Sequence, residues 1–431
     1  MRKVEDIVEI KVDKEDRAVC ERLYVDRKAY DRLADEIYDS VPSFDRLYPS
    51  INTVNKEFFM YLYRLLPEND DVKYYRLRML ICLVLFMYNE KQALNDCLTK
   101  TAGLIEKNPK LSEDEKNRLL GEVYYIRGYT EFNRIHAMSQ FYAKSLEYNA
   151  APFNAPASAV PFTFGCPSML HIFHREGNVL EDELDAFTDM MSNYCRFSEK
   201  HGSGAGALFK AEVLYNRGNI NDSQILCHKA MYMAGRAEQT CIVLGALLLL
   251  AKISIFEGDS DRYIRNIEIF RKIKFRSTNM DAEYNNMIDM CEAVMYLTVN
   301  DREHVPAWLT DWRAIDCRIN PIGMSYANLI YAKYLLTAGE YKNFRGISGL
   351  MLETADAIKS AYAKIYIYIY IAIANAFSGS RDKTVTMLCE AVSLAAKDMI
   401  IEYSRAVTPQ VRQAGNRLSG LTETAYASLL A

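Results

Sequence analysis

Apolar positions along most of this chain recur at spacings of three and four, the repeat of one buried face of an α-helix. The pattern is most regular in the second half. Gly218, Gly258, Asn300, Gly339 and Gly379 follow one another at intervals of 40, 42, 39 and 40 residues, and an alanine stands seven residues before each: Ala211, Ala251, Ala293, Ala332 and Ala372. A fixed period of this length is the mark of a repeat architecture. A small residue lets two helices approach closely, and Gly or Asn two turns later closes the helix in a left-handed conformation. Each unit therefore predicts a helical hairpin, five in all. The second helices add buried positions at helical spacing, such as Ser223, Cys227 and Ala230, or Thr384, Leu388 and Ala391.

The first half has the same texture less regularly. Helix pairs are predicted at Tyr74–Tyr88 with Gln92–Ile105 and at Leu119–Phe132 with Ala137–Leu146. The strict alternation of IYIYIYIAIA, Ile365–Ala374, fits a strand template, but it fills the first helix of the fifth repeat, with Ala372 in the small-residue slot, so helix is expected. Between the halves, Asn149–Thr163 carries three prolines and no period, and reads as a linker. Pro167 is placed to open a short helix running to about Phe173. Asn178 with Glu181 forms a capping pair for a second helix, whose apolar face is Leu184, Phe187, Met191 and Tyr194.

The fold class predicted is all-α, an α-solenoid of tetratricopeptide-like helical hairpins. Its expected segments are an N-terminal helical segment (1–60), N-terminal helical repeats (61–148), a proline-rich linker with junction helices (149–200), the regular array (201–405) and a C-terminal linker region (406–431).

Composition narrows the function. Half of the 431 residues are apolar, enough for a large core, and the net charge is −4 with both signs interspersed. That balance argues against the basic footprint needed to grip a nucleic-acid backbone. Of the ten cysteines no two are closer than Cys227 and Cys241, which predicts reduced, mostly buried thiols in a cytoplasmic protein. The opening MRKVEDIVEIKVDKED is mixed in charge and does not read as a secretory leader. The apolar runs Ile81–Tyr88 and Cys241–Ala251 are shorter than the roughly 20 residues of a membrane span and read as buried helix cores.

Candidate chemistry gathers in TFGCPSMLHIFHRE, Thr163–Glu176. His171 and His174 are three apart on the short helix and could both reach one Zn²⁺, but Ile172 stands where a metalloprotease would need its glutamate. Two other readings remain open: hydrogen-bonding partners within a helix contact, or contacts to a small ligand. HGSGAG, His201–Gly206, could cradle a phosphate, or could form a tight turn into the first regular repeat; no phosphate-loop motif occurs anywhere in the chain. Trp308 and Trp312 could stack on a ligand, although Trp312 falls on the buried offset equivalent to Ala230 and Ala391. The acids Glu181, Asp182, Glu183 and Asp185 suit the first turn of a helix. No G-x-S-x-G elbow is present, and neither an enzyme activity nor a cofactor nor a metal is expected.

Taken together, TFG-x-PS-x-L-x-x-FHRE, the acidic helix and HG-x-GA, spanning Thr163–Ala205, resemble the helical-repeat region of large LuxR-family transcription regulators of the MalT type. The resemblance implies an ATPase module ahead of the solenoid and a helix-turn-helix behind it, with the solenoid as sensor of a small effector or regulatory protein, and homo-oligomerisation in the full-length regulator. LTETAYASLLA, Leu421–Ala431, looks like the opening of the DNA-binding domain, so a fragment of a longer regulator is expected. Direct nucleic-acid or membrane binding by this chain is not. The second reading is a free-standing tetratricopeptide-like scaffold or peptide-binding protein. For the sensor site, the junction between the two halves is expected to border a groove, with Phe164 as an apolar wall, His171, His174 and His201 as neutral hydrogen-bonding groups, and Arg175 as a charge.

Overall fold

A computed structural model describes residues 71–87, 90–149, 161–198, 200–273, 281–313, 315, 319 and 321–400. The expectations for residues 1–60 and 406–431, and for most of the proline-rich linker, lie outside the described residues. Among those described the chain is all-helical, without a strand, and its helices pack as neighbouring pairs. The chain divides into two compact units, Met1–Phe162 with Asp189–His201 and Arg276–Ala282, and Thr163–Thr188 with Gly202–Phe275 and Glu283–Ala431.

In the first unit α1 (Val72–Met87), α2 (Lys91–Lys107), α3 (Glu113–Thr130) and α4 (Ile135–Tyr148) follow in order, each packed on the next. These are the two pairs read from the sequence. Ser112 and Glu115 close α3 with a capping box, satisfying two backbone donors at its start. The α3–α4 contact is tightest at Gly128, where a Cβ would collide with the ring of Tyr142. Tyr125, Tyr142, Tyr194 and Phe197 fill the interior as a buried aromatic cluster.

The second unit begins with a short helix α5 (Met169–Phe173) and takes in the first turns of α6 (Leu180–Phe197). The repeats follow as α7 (Ala205–Asn216), α8 (Ile220–Arg236), α9 (Thr240–Glu257), α10 (Ser260–Lys272), α11 (Asp281–Thr298), α12 (Pro321–Thr337), α13 (Tyr341–Ala357), α14 (Ala361–Phe377) and α15 (Arg381–Ala395). IYIYIYIAIA lies wholly within α14. All five repeat-closing residues have positive φ, from 64° at Asn300 to 84° at Gly218. The residue after each donates its amide to a carbonyl five residues back, as Asn219 does to Leu214 at 2.8 Å. That bond satisfies carbonyls the helix end would otherwise leave open. The five alanines seven residues earlier are at most 1% exposed. At the first of them, Ser223 Oγ donates to the Ala211 carbonyl at 2.7 Å, a contact between α7 and α8 that only a small side chain permits.

First helices also pack on first helices, α7 on α9 and α12 on α14. α9 is correspondingly apolar over most of its circumference, with Lys252 and the terminal Glu257 as its only charges, and by length and composition is the one helix among the described residues that could cross a membrane; two thirds of it is buried within the fold. Helices packed all round need no polar face. The tryptophans depart from expectation. Trp308 is the buried one, in a 3-10 turn Ala307–Thr310 where its Nε1 donates to Asp289 at 2.7 Å, whereas Trp312 is half-buried and 6.3 Å from the ring of Tyr331.

Candidate functional site

The junction Thr163–Glu183 is built as a keyed insert in the second unit. Phe164 and Gly165 turn the chain with positive φ, and α5 opens at Met169 with Ser168 as its N-cap, two residues beyond Pro167, which was expected to be its first helical residue. A five-residue helix cannot stand alone, because its backbone groups at both ends lack partners of their own. Glu212 of α7 supplies one end: its carboxylate accepts from Ser168 Oγ at 2.8 Å, Met169 N at 3.1 Å and Leu170 N at 2.8 Å. α14 supplies the other, with Ser360 Oγ donating to the His171 carbonyl at 2.7 Å and Ala361 N to the His174 carbonyl at 2.9 Å. Burial pushes the Glu212 carboxyl up to about 7, against the downward pull of those hydrogen bonds and of Lys252.

The two histidines do not converge. His171 is fully buried with its ring edge-on to Tyr326 and Tyr362, at 5.2 and 6.5 Å, and neither ring nitrogen has a hydrogen-bond partner among the described residues. Burial lowers its pKa to about 3, so it is neutral at physiological pH. His174 ends α5 and points elsewhere: Nδ1 is 3.0 Å from Glu183 Oε2, and Nε2 is 3.5 Å from Asp398 Oδ2. Among the described residues no three His, Cys, Asp or Glu side chains are placed to hold a metal ion.

The local capping expected of Asn178 and Glu181 gives way to a tertiary cap. Asn178 takes positive φ, and Asp398, more than two hundred residues away in the chain, accepts from Asn178 N at 2.7 Å and Leu180 N at 3.1 Å. Glu181 instead pairs with Arg217, whose Nε donates to the Asp398 carbonyl at 3.2 Å. Nothing near Asn178 in sequence signals this, since a carboxylate arriving from another element satisfies the same amides.

Of the five residues expected at the sensor groove, Phe164, His171 and His174 are buried in this junction, and Arg175 is half-buried with its backbone amide donating to Glu183 at 3.1 Å. His201 belongs to the first unit, buried with Nδ1 2.5 Å from the Tyr194 hydroxyl and its ring against Phe162. In the glycine turn that follows, Gly202 N donates to Gln239 at 2.7 Å, and a Cβ on Gly204, at φ 92°, would lie 2.6 Å from the Ala230 carbonyl. The turn is occupied by protein contacts and leads tightly into α7.

A cavity of 270 Å³ opens instead among the first helices of the repeats. α7 contributes Tyr215, α9 Lys252 and Phe256, α11 Val294 and Thr298, α12 Tyr326 and Lys333, and α14 Tyr362, Tyr366 and Tyr370; the junction contributes only Ser168. His171 stands one layer behind, against Tyr326 and Tyr362. Three of the lining residues were reachable from the repeat register: Lys252, Val294 and Lys333 each directly follow the repeat alanine. Compared with models of protein families and with curated proteins, the sequence matches none.

Proposed function

We propose that the second unit is a tetratricopeptide-like solenoid that receives a small effector in the cavity between its first helices, and that it serves as the sensor of a MalT-type LuxR-family transcription regulator. The carrying observation is that all five first helices contribute residues to a 270 Å³ cavity, close to the size of a metabolite site, with several tyrosines and two lysines among its lining residues. The period near 40 and the recurring left-handed closures support the solenoid reading. The regulator reading rests on the motif resemblance, whose residues Ser168, His174 and Gly204 each hold the junction or the turn into the array.

A thermal-shift screen across sugars, amino acids, nucleotides and short peptides tests the effector site. A true effector at about 100 times its dissociation constant adds about 2.7 kcal/mol of stability. Val294→Phe, which fills the cavity, abolishes that shift; a shift that survives it places the ligand elsewhere. Sequencing the coding DNA on both sides tests the regulator: an in-frame phosphate-loop module before the array and a complete helix-turn-helix after it are expected, and unrelated reading frames favour the free-standing scaffold.

A further inference from the structure

We propose that Cys82 and Cys97 of the first unit form a redox pair, in which a small hydroperoxide oxidises Cys97 and Cys82 then closes a reversible disulfide between α1 and α2. Three observations carry this. Both thiols are free and 0% exposed, Cys82 on α1 and Cys97 on α2, and these two helices pack on one another. Cys97 Sγ lies 3.8 Å from the carbonyl of Arg78, one helical turn before Cys82, and the Cys82 thiol is in hydrogen-bonding contact with Cys97. Residues four apart share a helix face, so Arg78 and Cys82 both look onto Cys97, and the Arg78 side chain is itself only 2% exposed.

The surroundings give the two thiols different roles. The hydrogen bond from Cys82 lowers the pKa of Cys97 against the opposing effect of burial, and the Arg78 guanidinium and Thr101 add to the lowering. Burial pushes the Cys82 thiol well up, so it keeps its proton. A thiolate is the nucleophile toward a peroxide, and a neighbouring arginine favours that form. The Cys97 thiolate attacks one oxygen of the hydroperoxide; the O–O bond breaks, Cys97 becomes a sulfenic acid, and the other oxygen takes a proton and leaves as an alcohol, or as water from hydrogen peroxide. The Cys82 sulfur then attacks the Cys97 sulfur: the S–S bond forms, the S–O bond breaks, and the departing hydroxide leaves as water with the Cys82 proton. Two thiols are oxidised and one peroxide is reduced. Hydrogen peroxide, small and uncharged, reaches the pair through local opening of the helices, which a bulky oxidant cannot use. The second unit supplies a contrast: Cys166 and Cys291 influence one another electrostatically, but burial raises both and they remain thiols.

The test uses the full chain with its exposed Cys389 replaced by alanine, treated with a few molar equivalents of hydrogen peroxide. The chain should lose the mass of two hydrogens, peptide mapping should place the link between Cys82 and Cys97, and dithiothreitol should reverse it. Cys82→Ala should stop at a Cys97 sulfenic acid that dimedone traps, whereas Cys97→Ala should leave Cys82 unreacted. Arg78→Met should slow the oxidation by about tenfold and Arg78→Lys should keep most of the rate, with circular dichroism showing each variant folded. Mapping the chain that retains both cysteines decides the link even if a variant does not fold. A link at any other pair, Cys166 with Cys291 included, overturns the proposal, as does a Cys97 that passes to the sulfinic acid unlinked or a folded chain in which both thiols stay reduced. Equal oxidation of Cys82 in Cys97→Ala and of Cys97 in Cys82→Ala overturns the assignment of Cys97 as the attacking thiol.

Discussion

The junction Thr163–Glu183 and the cavity lie in the same unit and are both rich in polar side chains, but they use them differently. In the junction the polar groups are spent on the fold: Glu212 holds three donors, Asp398 two amides, and His174 sits between two carboxylates. In the cavity, lysines and phenols line open volume beside one another, with no carboxylate in the lining. A conspicuous motif therefore marked the place where the chain needs help to fold, while the surface suited to a ligand was spread as single residues over five repeats.

Substitutions should reproduce this contrast. Glu212→Ala strands two buried amides and a hydroxyl and should cost about 3–5 kcal/mol in urea unfolding, enough to decide whether the second unit folds. Gly204→Ala, at positive φ and against the Ala230 carbonyl, should cost about 2–4 kcal/mol by the same measurement. Asp398→Ala removes the tertiary cap of α6 and should cost about 1–3 kcal/mol. If the cavity variant Lys252→Gln costs as much as these, the contrast fails, since a change on the cavity lining should stay within about 0.5 kcal/mol.

The pH dependence sharpens the same comparison. Glu212 has a folded pKa raised from 4.5 to about 7, so the folded state holds its proton more tightly; this contribution is full below pH 4.5 and is lost as pH rises through about 7. His171 acts oppositely: its folded pKa is lowered from 6.5 to about 3, so stability is full above 6.5 and falls as pH drops toward 3. Chemical unfolding across this range should show a shallower fall on the alkaline side for Glu212→Gln and on the acid side for His171→Phe. The charged and titratable groups acting with Glu212 are Lys252, Cys166, Cys227 and Tyr326. The smallest effect expected is in Lys252→Gln: losing that positive charge should move the Glu212 window upward in pH, with little change in stability below pH 4.5.

Much of the architecture was legible because it is set by local chemistry. The alanine slot and the Gly or Asn closure seven residues later are backbone requirements of every repeat, so they recur in the sequence and all five appear in the structure. Register settled IYIYIYIAIA as helix for the same reason. Periodicity also located the two pairs of the first unit, although the close approach at Gly128 and Tyr142 leaves no such periodic mark.

What tertiary structure alone decided was which groups meet. Asn178 and Glu181 have the spacing of a local cap, yet Asp398 takes the amides and Arg217 takes Glu181. His171 and His174 have a metal-compatible spacing, yet one turns to Tyr326 and Tyr362 and the other to Glu183 and Asp398. A sequence determines each residue's donors, acceptors and helix face. It does not reveal which of several competent partners, two hundred residues apart, will be carried into range, because that depends on the packing of every helix between them.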